Sequence, residues 1–337
     1  MNTQIHLSRS MFADQPRLLL ESPDFSLTAF RYASGIEAIK LQNARGYAIV
    51  LPFYGQMIWD AEFDGHSLTM SNPFPEPKPG SSIIDTYGCF AFHSGLLSNG
   101  CPAEDDQHPL HGEMACAPID SARLIIGDGF LTLTGDYEYV KGFGHHYRAA
   151  PAVTMRADST LLDIDMAVTN LASAPMQLQY MCHMNYAYVA GASFSQNIPD
   201  RAFALRASIP GHVHPTPQWL NYTEKLAQSP ESFRTLDEPE FYDPEIVFFA
   251  DNLSQYTQQA EFSMHAPQGH RFVTRFSTAE LNYATRWILY NGDQKVAAFV
   301  LPATCRPEGR NAARRAGSLI EMAAGETRRF HVETGLA

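Results

Sequence analysis

Residues 179–189 read Gln-Tyr-Met-Cys-His-Met-Asn-Tyr-Ala-Tyr-Val. The run is aromatic and apolar, lacks Gly and Pro, and follows a Ser-Ala-Pro turn, so it is expected to form a strand. Alternation along a strand puts Met181, His183, Asn185 and Ala187 on one face and Tyr180, Cys182, Met184, Tyr186 and Tyr188 on the other. A His and an Asn on one otherwise apolar face need hydrogen-bond partners if they are buried. A polar ligand would supply them. A backbone carbonyl beside a core histidine would do so equally, and the local sequence leaves both readings open.

Two other chemistries are considered. His108 and His111, and His212 and His214, have spacings that suit zinc or iron. The i, i+2 pair is short, however, in a chain with 13 histidines. No Gly-x-Ser-x-Gly elbow is present, and nothing near Cys182 marks its thiol as activated. The expected state of each cysteine is a small buried hydrophobe. No cofactor is expected. The glycines of residues 88–100 permit tight turns, but no helix follows of the kind a phosphate loop needs.

The elements that would position these residues are strands. Gly and Pro, 22 of each, are spread along the 337 residues. Between them lie short β-like runs at 25–31, 48–53, 130–139, 153–157, 161–168, 176–189, 202–207, 245–250, 260–265, 272–277, 287–290, 295–301 and 328–333. Regular short strands separated by turn signals predict an all-β sandwich or barrel. Residues 130–140 and 161–170 alternate polar and apolar, as antiparallel strands with one solvated face do. Helical signal is thin. Residues 217–228 suit a short helix with Thr216 as N-cap and Pro217 in the first turn. Residues 308–316 suit another, stopped by Gly317. No repeat or low-complexity linker divides the chain, so residues 1–337 are expected to form one domain.

A net charge of −12 argues against nucleic acid or an anionic membrane as partner. The five cysteines are odd in number and have no Cys-x-x-Cys spacing, which favours reduced thiols and a cytoplasmic setting. No signal peptide or membrane span is legible.

The ordered motifs resemble the aldose 1-epimerase (galactose mutarotase-like) superfamily, and most closely an uncharacterised branch of it. They are Gly95-Leu96-Leu97 with Gly100, Leu110-His111-Gly112, Tyr180-Met-Cys-His183-Met-Asn185, Glu245-Ile-Val247, Trp287, and Pro302-Ala-Thr-Cys-Arg-Pro-Glu-Gly-Arg310. The resemblance covers roughly residues 40–335. It implies a large antiparallel β-sandwich with few short helices, whose concave face binds a small-molecule sugar and interconverts its α and β anomers. By that resemblance His183 is the general acid and His111 a sugar-binding, charge-stabilising partner. Asn185 and Trp287 line the pocket, and Asp243, Glu245 and Arg310 serve in binding. The family's base is a Glu directly before the Pro of the last motif, and Leu301 stands there. Glu308 is the first replacement, Glu245 the second and Glu113 an outside candidate. Arg148, Arg306 or Arg310 at the mouth would instead select an anionic sugar. Two alternatives remain: a non-catalytic sugar-binding or sensor protein, and a metal-dependent β-sandwich enzyme. Oligomeric state is not legible.

Overall fold

The computed structural model describes residues 2–211 and 213–337. Two antiparallel sheets dominate it. One has nine strands in the order Thr3–Leu7, Ser121–Gly127, Phe130–Val140, His146–Arg156, Leu161–Asn170, Thr327–Leu336, Arg271–Ser277, Gln259–His265 and Ser193–Gln196. The other runs from Phe203–Leu205 through Ile246–Ala250, Tyr283–Tyr290, Lys295–Ala303, Met176–Met184, Ala91–Leu96, Ile58–Phe63, Gly46–Val50, Glu37–Gln42 and Ser26–Arg31 to Arg17–Glu21. Short strands Ile320–Met322 and His66–Ser67 pair at its sides. Large buried side chains fill the space between the sheets. Tyr180 stacks on Phe330 at 4.8 Å, and Tyr186 Oη meets Thr334 Oγ1 at 2.6 Å. Both contacts reach across the core to the nine-stranded sheet, and the second satisfies buried polar groups in an apolar layer.

The central strand Met176–Met184 behaves as its alternation predicts. Tyr180 faces the inter-sheet core, and Cys182 lies there beside Val153 and Ile164 of the opposite sheet. Met181 and His183 face outward onto a cavity. The strand stops at Met184, so Asn185 lies beyond its end. The helix Pro217–Gln228 forms as expected, with Thr216 Oγ1 accepting from Trp219 N at 3.2 Å.

Two expectations need revision. Residues 88–100 are more than turns, because Ala91–Leu96 is a strand buried at every position. A strand covered on both faces shows no alternation, and its glycine masked it further. The second helix spans only Arg310–Arg315, which leaves Glu308 outside it.

Between the sheets His93 is buried, with Nδ1 2.9 Å from Tyr180 Oη. Burial lowers its pKa from 6.5 to about 4. The folded chain therefore binds fewer protons than the unfolded chain between those values. The contribution is complete above the unfolded pKa and is lost as pH falls toward the folded one. At about 1.4 kcal/mol per unit, His93 alone accounts for about 3 kcal/mol over this window. His331, raised by Asp165, has the opposite sign but is half-exposed. Denaturant midpoints are expected to fall from pH 7 to pH 4.5, with a shallower slope in His93→Gln. A slope unchanged by that substitution would refute the assignment.

Candidate functional site

A cavity of about 510 Å³ opens beside the outer face of the central strand. Its wall carries His183, His111, Tyr87, Trp287, Glu245 and Arg206. His183 sits opposite Phe92 in the pairing of Met176–Met184 with Ala91–Leu96, and the two rings stack with centroids 4.5 Å apart. His111 presents its ring edge-to-face to His183 at 4.7 Å. Tyr87 Oη lies 3.3 Å from His183 Nε2, and Trp287 closes the group at 5.7 Å from the imidazole.

His111 comes from a tight loop. It adopts φ 60°, and Gly112 follows at φ 76°. A Cβ on Gly112 would lie 2.1 Å from the Ser98 carbonyl oxygen and 2.5 Å from that of Gly95, so only glycine fits there. The loop is sewn to the glycine-rich strand: Gly95 N donates to His111 O at 3.0 Å and Met114 N to Gly95 O at 2.8 Å. His111 Nδ1 is 3.0 Å from Ser94 Oγ. Glu113 faces away from the cavity. Its Oε1 accepts from Leu96 N, Leu97 N and Tyr147 Oη at 3.0, 2.9 and 2.7 Å. Burial raises its pKa while those donors oppose the shift. It braces the loop.

Glu245 organises the other wall. Oε1 accepts from Arg206 Nη2 at 2.6 Å, and Oε2 accepts from Trp287 Nε1 at 2.7 Å. Both side chains of the ion pair are 9% exposed. The Glu245 carbonyl also accepts from Trp219 Nε1 at 2.9 Å, which ties the helix to this wall. Asp243 and Asp293 stand at the rim, brought together where Tyr290 N donates to Tyr242 O at 3.4 Å. Leu301 is a buried apolar part of the wall.

The His183 pKa lies well below the ordinary histidine value. Burial is the main cause and the neighbouring His111 adds to it, while the Asn185 carboxamide opposes both. His183 is therefore neutral near pH 7. Burial likewise raises the Cys101 thiol on the cavity wall to about 12, so it is not a poised nucleophile.

Of the residues expected in the site, His183, His111, Glu245, Trp287 and Asp243 line one cavity. Three others do not. Glu308 accepts from Ser208 Oγ at 2.8 Å and lies 3.7 Å from Arg306, outside the cavity wall. Arg310 donates to the Leu97 carbonyl and, at 3.3 Å, to that of Gln177, so it braces backbone. Asn185 is fully buried behind the wall, with Nδ2 donating to Cys89 O at 2.9 Å. Arg306 is held by Asp251 at 2.6 Å. The Pro302 motif is also a brace: Thr304 Oγ1 accepts from Tyr180 N at 2.9 Å.

Sequence reasoning missed Arg206, Tyr87 and Phe92. An arginine in the expected strand 202–207 was the available signal for Arg206, since a charge pointing inward from a short strand calls for a partner. Among the described residues no three His, Cys, Asp or Glu side chains gather as metal ligands. His212 lies outside the described residues. Among those described, no helix is long and apolar enough to cross a membrane.

Known structures carry the same architecture. A protein from Klebsiella pneumoniae subsp. pneumoniae, provisionally described as an aldose 1-epimerase, superposes with a TM-score of 0.77 at 14% identity, over 99% of this chain and 87% of that one. A galactose mutarotase-like protein from Clostridium acetobutylicum gives 0.64 at 13% identity, over 94% and 99%. One from Lactobacillus casei gives 0.56 at 15%, over 89% and 100%. At such identities the likeness establishes the fold. No curated protein matches the chain. The family model described as a domain of unknown function, DUF4432, matches residues 33–200 and 210–336. The chain thus belongs to the DUF4432 family, on a galactose mutarotase-like sandwich.

Proposed function

We propose that the protein binds a sugar in this cavity and interconverts its α and β anomers. The observation that carries this reading is the pair of imidazoles, His111 and His183, 4.7 Å apart on the cavity wall with Glu245 and Trp287 alongside. Ring opening needs a group to take the anomeric hydroxyl proton and another to protonate the ring oxygen. Two imidazoles facing one cavity, of which His183 is held neutral by burial, suit that exchange. The Trp287 indole, fixed by Glu245, offers an apolar platform for a sugar face. The volume lies within the usual range of about 300–1,000 Å³ for small-molecule sites.

Charge narrows the substrate. The wall holds Asp243, Glu245 and Asp293 against one arginine, Arg206, which Glu245 already neutralises. Arg306 and Arg310 are committed elsewhere. This balance favours an uncharged sugar over a phosphorylated, sulfonated or uronic one.

Leu301 favours a second reading. An apolar side chain stands where the resemblance implies a base, which suits a protein that binds sugar without turning it over. Exchange NMR on a panel of free aldoses separates the two. Accelerated α–β exchange with at least one uncharged sugar is the expected result. Saturable line broadening without acceleration would leave the binding protein, and neither effect with any sugar would end the carbohydrate reading.

A further inference from the structure

Asn185 has no contact with the cavity, yet its position decides what His183 can do there. The Cys89 carbonyl accepts from Asn185 Nδ2 at 2.9 Å. A carbonyl can only accept, so rotating the amide by half a turn would oppose two oxygens. The Asn185 backbone is pinned as well. Its N–H donates to Phe90 O at 2.6 Å and its carbonyl accepts from Met70 N at 2.9 Å. Asn185 Oδ1 is thereby left as a buried acceptor. It and His183 Nδ1 are buried polar atoms without a partner at hydrogen-bond geometry. On the other side of the ring, Tyr87 Oη lies 3.3 Å from Nε2. Burial keeps the Tyr87 phenol protonated, so it has a hydrogen to donate there.

We infer that Asn185 is a positioning residue that keeps the His183 proton on Nδ1, so that Nε2, on the Tyr87 side of the ring, is the proton acceptor of the cavity. The polar hydrogens then point in one direction, from Tyr87 Oη toward His183 Nε2, from His183 Nδ1 toward the buried Asn185 Oδ1, and from Asn185 Nδ2 to the Cys89 carbonyl. The resemblance implied an acid at His183; the network makes it a base.

His111 completes the exchange. Ser94 Oγ donates its one hydrogen to Asn99 Oδ1 at 2.5 Å or to the His111 carbonyl at 3.3 Å. Either way it accepts from His111 Nδ1 at 3.0 Å. An acid at His111 is then its imidazolium, giving up the proton on Nε2. With a sugar bound, His183 Nε2 takes the anomeric hydroxyl proton. The freed electron pair forms the carbonyl at C1. The bond from C1 to the ring oxygen breaks with its electrons on oxygen, and that oxygen takes the His111 proton. One proton has crossed the pair and its total charge is unchanged. Closure on the other face reverses each step. These roles rest on the anomer-exchange reading, whereas the tautomer does not.

The test needs no substrate. Long-range proton–nitrogen correlation on the histidine-labelled protein at pH 7 reports which ring nitrogen carries hydrogen, with His183→Gln assigning the signals. A proton on Nδ1 and none on Nε2 is expected. Asn185→Leu is expected to bring a population with hydrogen on Nε2. Hydrogen on Nε2 in the unsubstituted protein would overturn the inference and leave sugar binding standing. So would an unchanged tautomer in a folded Asn185→Leu variant. If that variant fails to fold, the unsubstituted protein decides alone. An absence of anomer exchange would fall on the proposed function and leave the tautomer measurable.

Discussion

His183→Gln is expected to lower kcat for anomer exchange by about 10²- to 10⁴-fold, the range over which a positioned acid–base group contributes. KM should change little. On the proposed reading the sugar's binding surface is Trp287, Glu245, Asp243 and the remaining cavity wall, while His183 reaches it through one ring nitrogen. Glutamine is a cleaner probe than alanine. The imidazole stacks on Phe92 at 4.5 Å in a buried site, and alanine would leave a cavity there. The two kinetic parameters separate the competing accounts. A residue that only shaped the pocket would raise KM and spare kcat, whereas one that moves a proton does the reverse. Full exchange in the glutamine variant would remove His183 from the chemistry.

Part of this site was legible because its signals are local. Alternation alone placed Tyr180 and Cys182 on one face and Met181 and His183 on the other, and contacts with the opposite sheet decide that the first face is the core. The Thr216 cap and Pro217 marked the start of a helix without any knowledge of its neighbours. What local rules could not reach was decided by contacts between distant segments. Glu308 and Glu245 are both plausible carboxylates in sequence, but Arg206, 39 residues from Glu245, draws that one to the cavity wall. Ser208, 100 residues from Glu308, draws the other to the outside. Asn185 shows a different failure. The period of two put it on the His183 face, but the strand ends at Met184 and its amide turns to the Cys89 carbonyl. A periodic rule holds only while the element continues.

The ion pair offers the second large effect, and here a double substitution is the informative one. Arg206 and Glu245 are joined at 2.6 Å with both side chains 9% exposed. Glu245→Leu leaves the Arg206 guanidinium buried without that countercharge and frees the Trp287 indole N–H from its acceptor. Breaking such a pair from one side costs about 3–5 kcal/mol. The low end is expected, because Arg206 borders a cavity that water can enter. Removing both charges is a different matter, since the cost of desolvating them disappears along with their attraction. Arg206→Met combined with Glu245→Leu is therefore expected to be more stable than Glu245→Leu alone by about 2 kcal/mol or more. Denaturant titration of both single variants and the double one closes the cycle. If the single losses simply add, the pair contributes no coupling, and its place in the wall would need another explanation. If the double variant regains stability but binds no sugar, the pair is kept for recognition. It would hold Trp287 and a carboxylate where a ring of hydroxyls meets them, at some cost to the stability an apolar wall would provide.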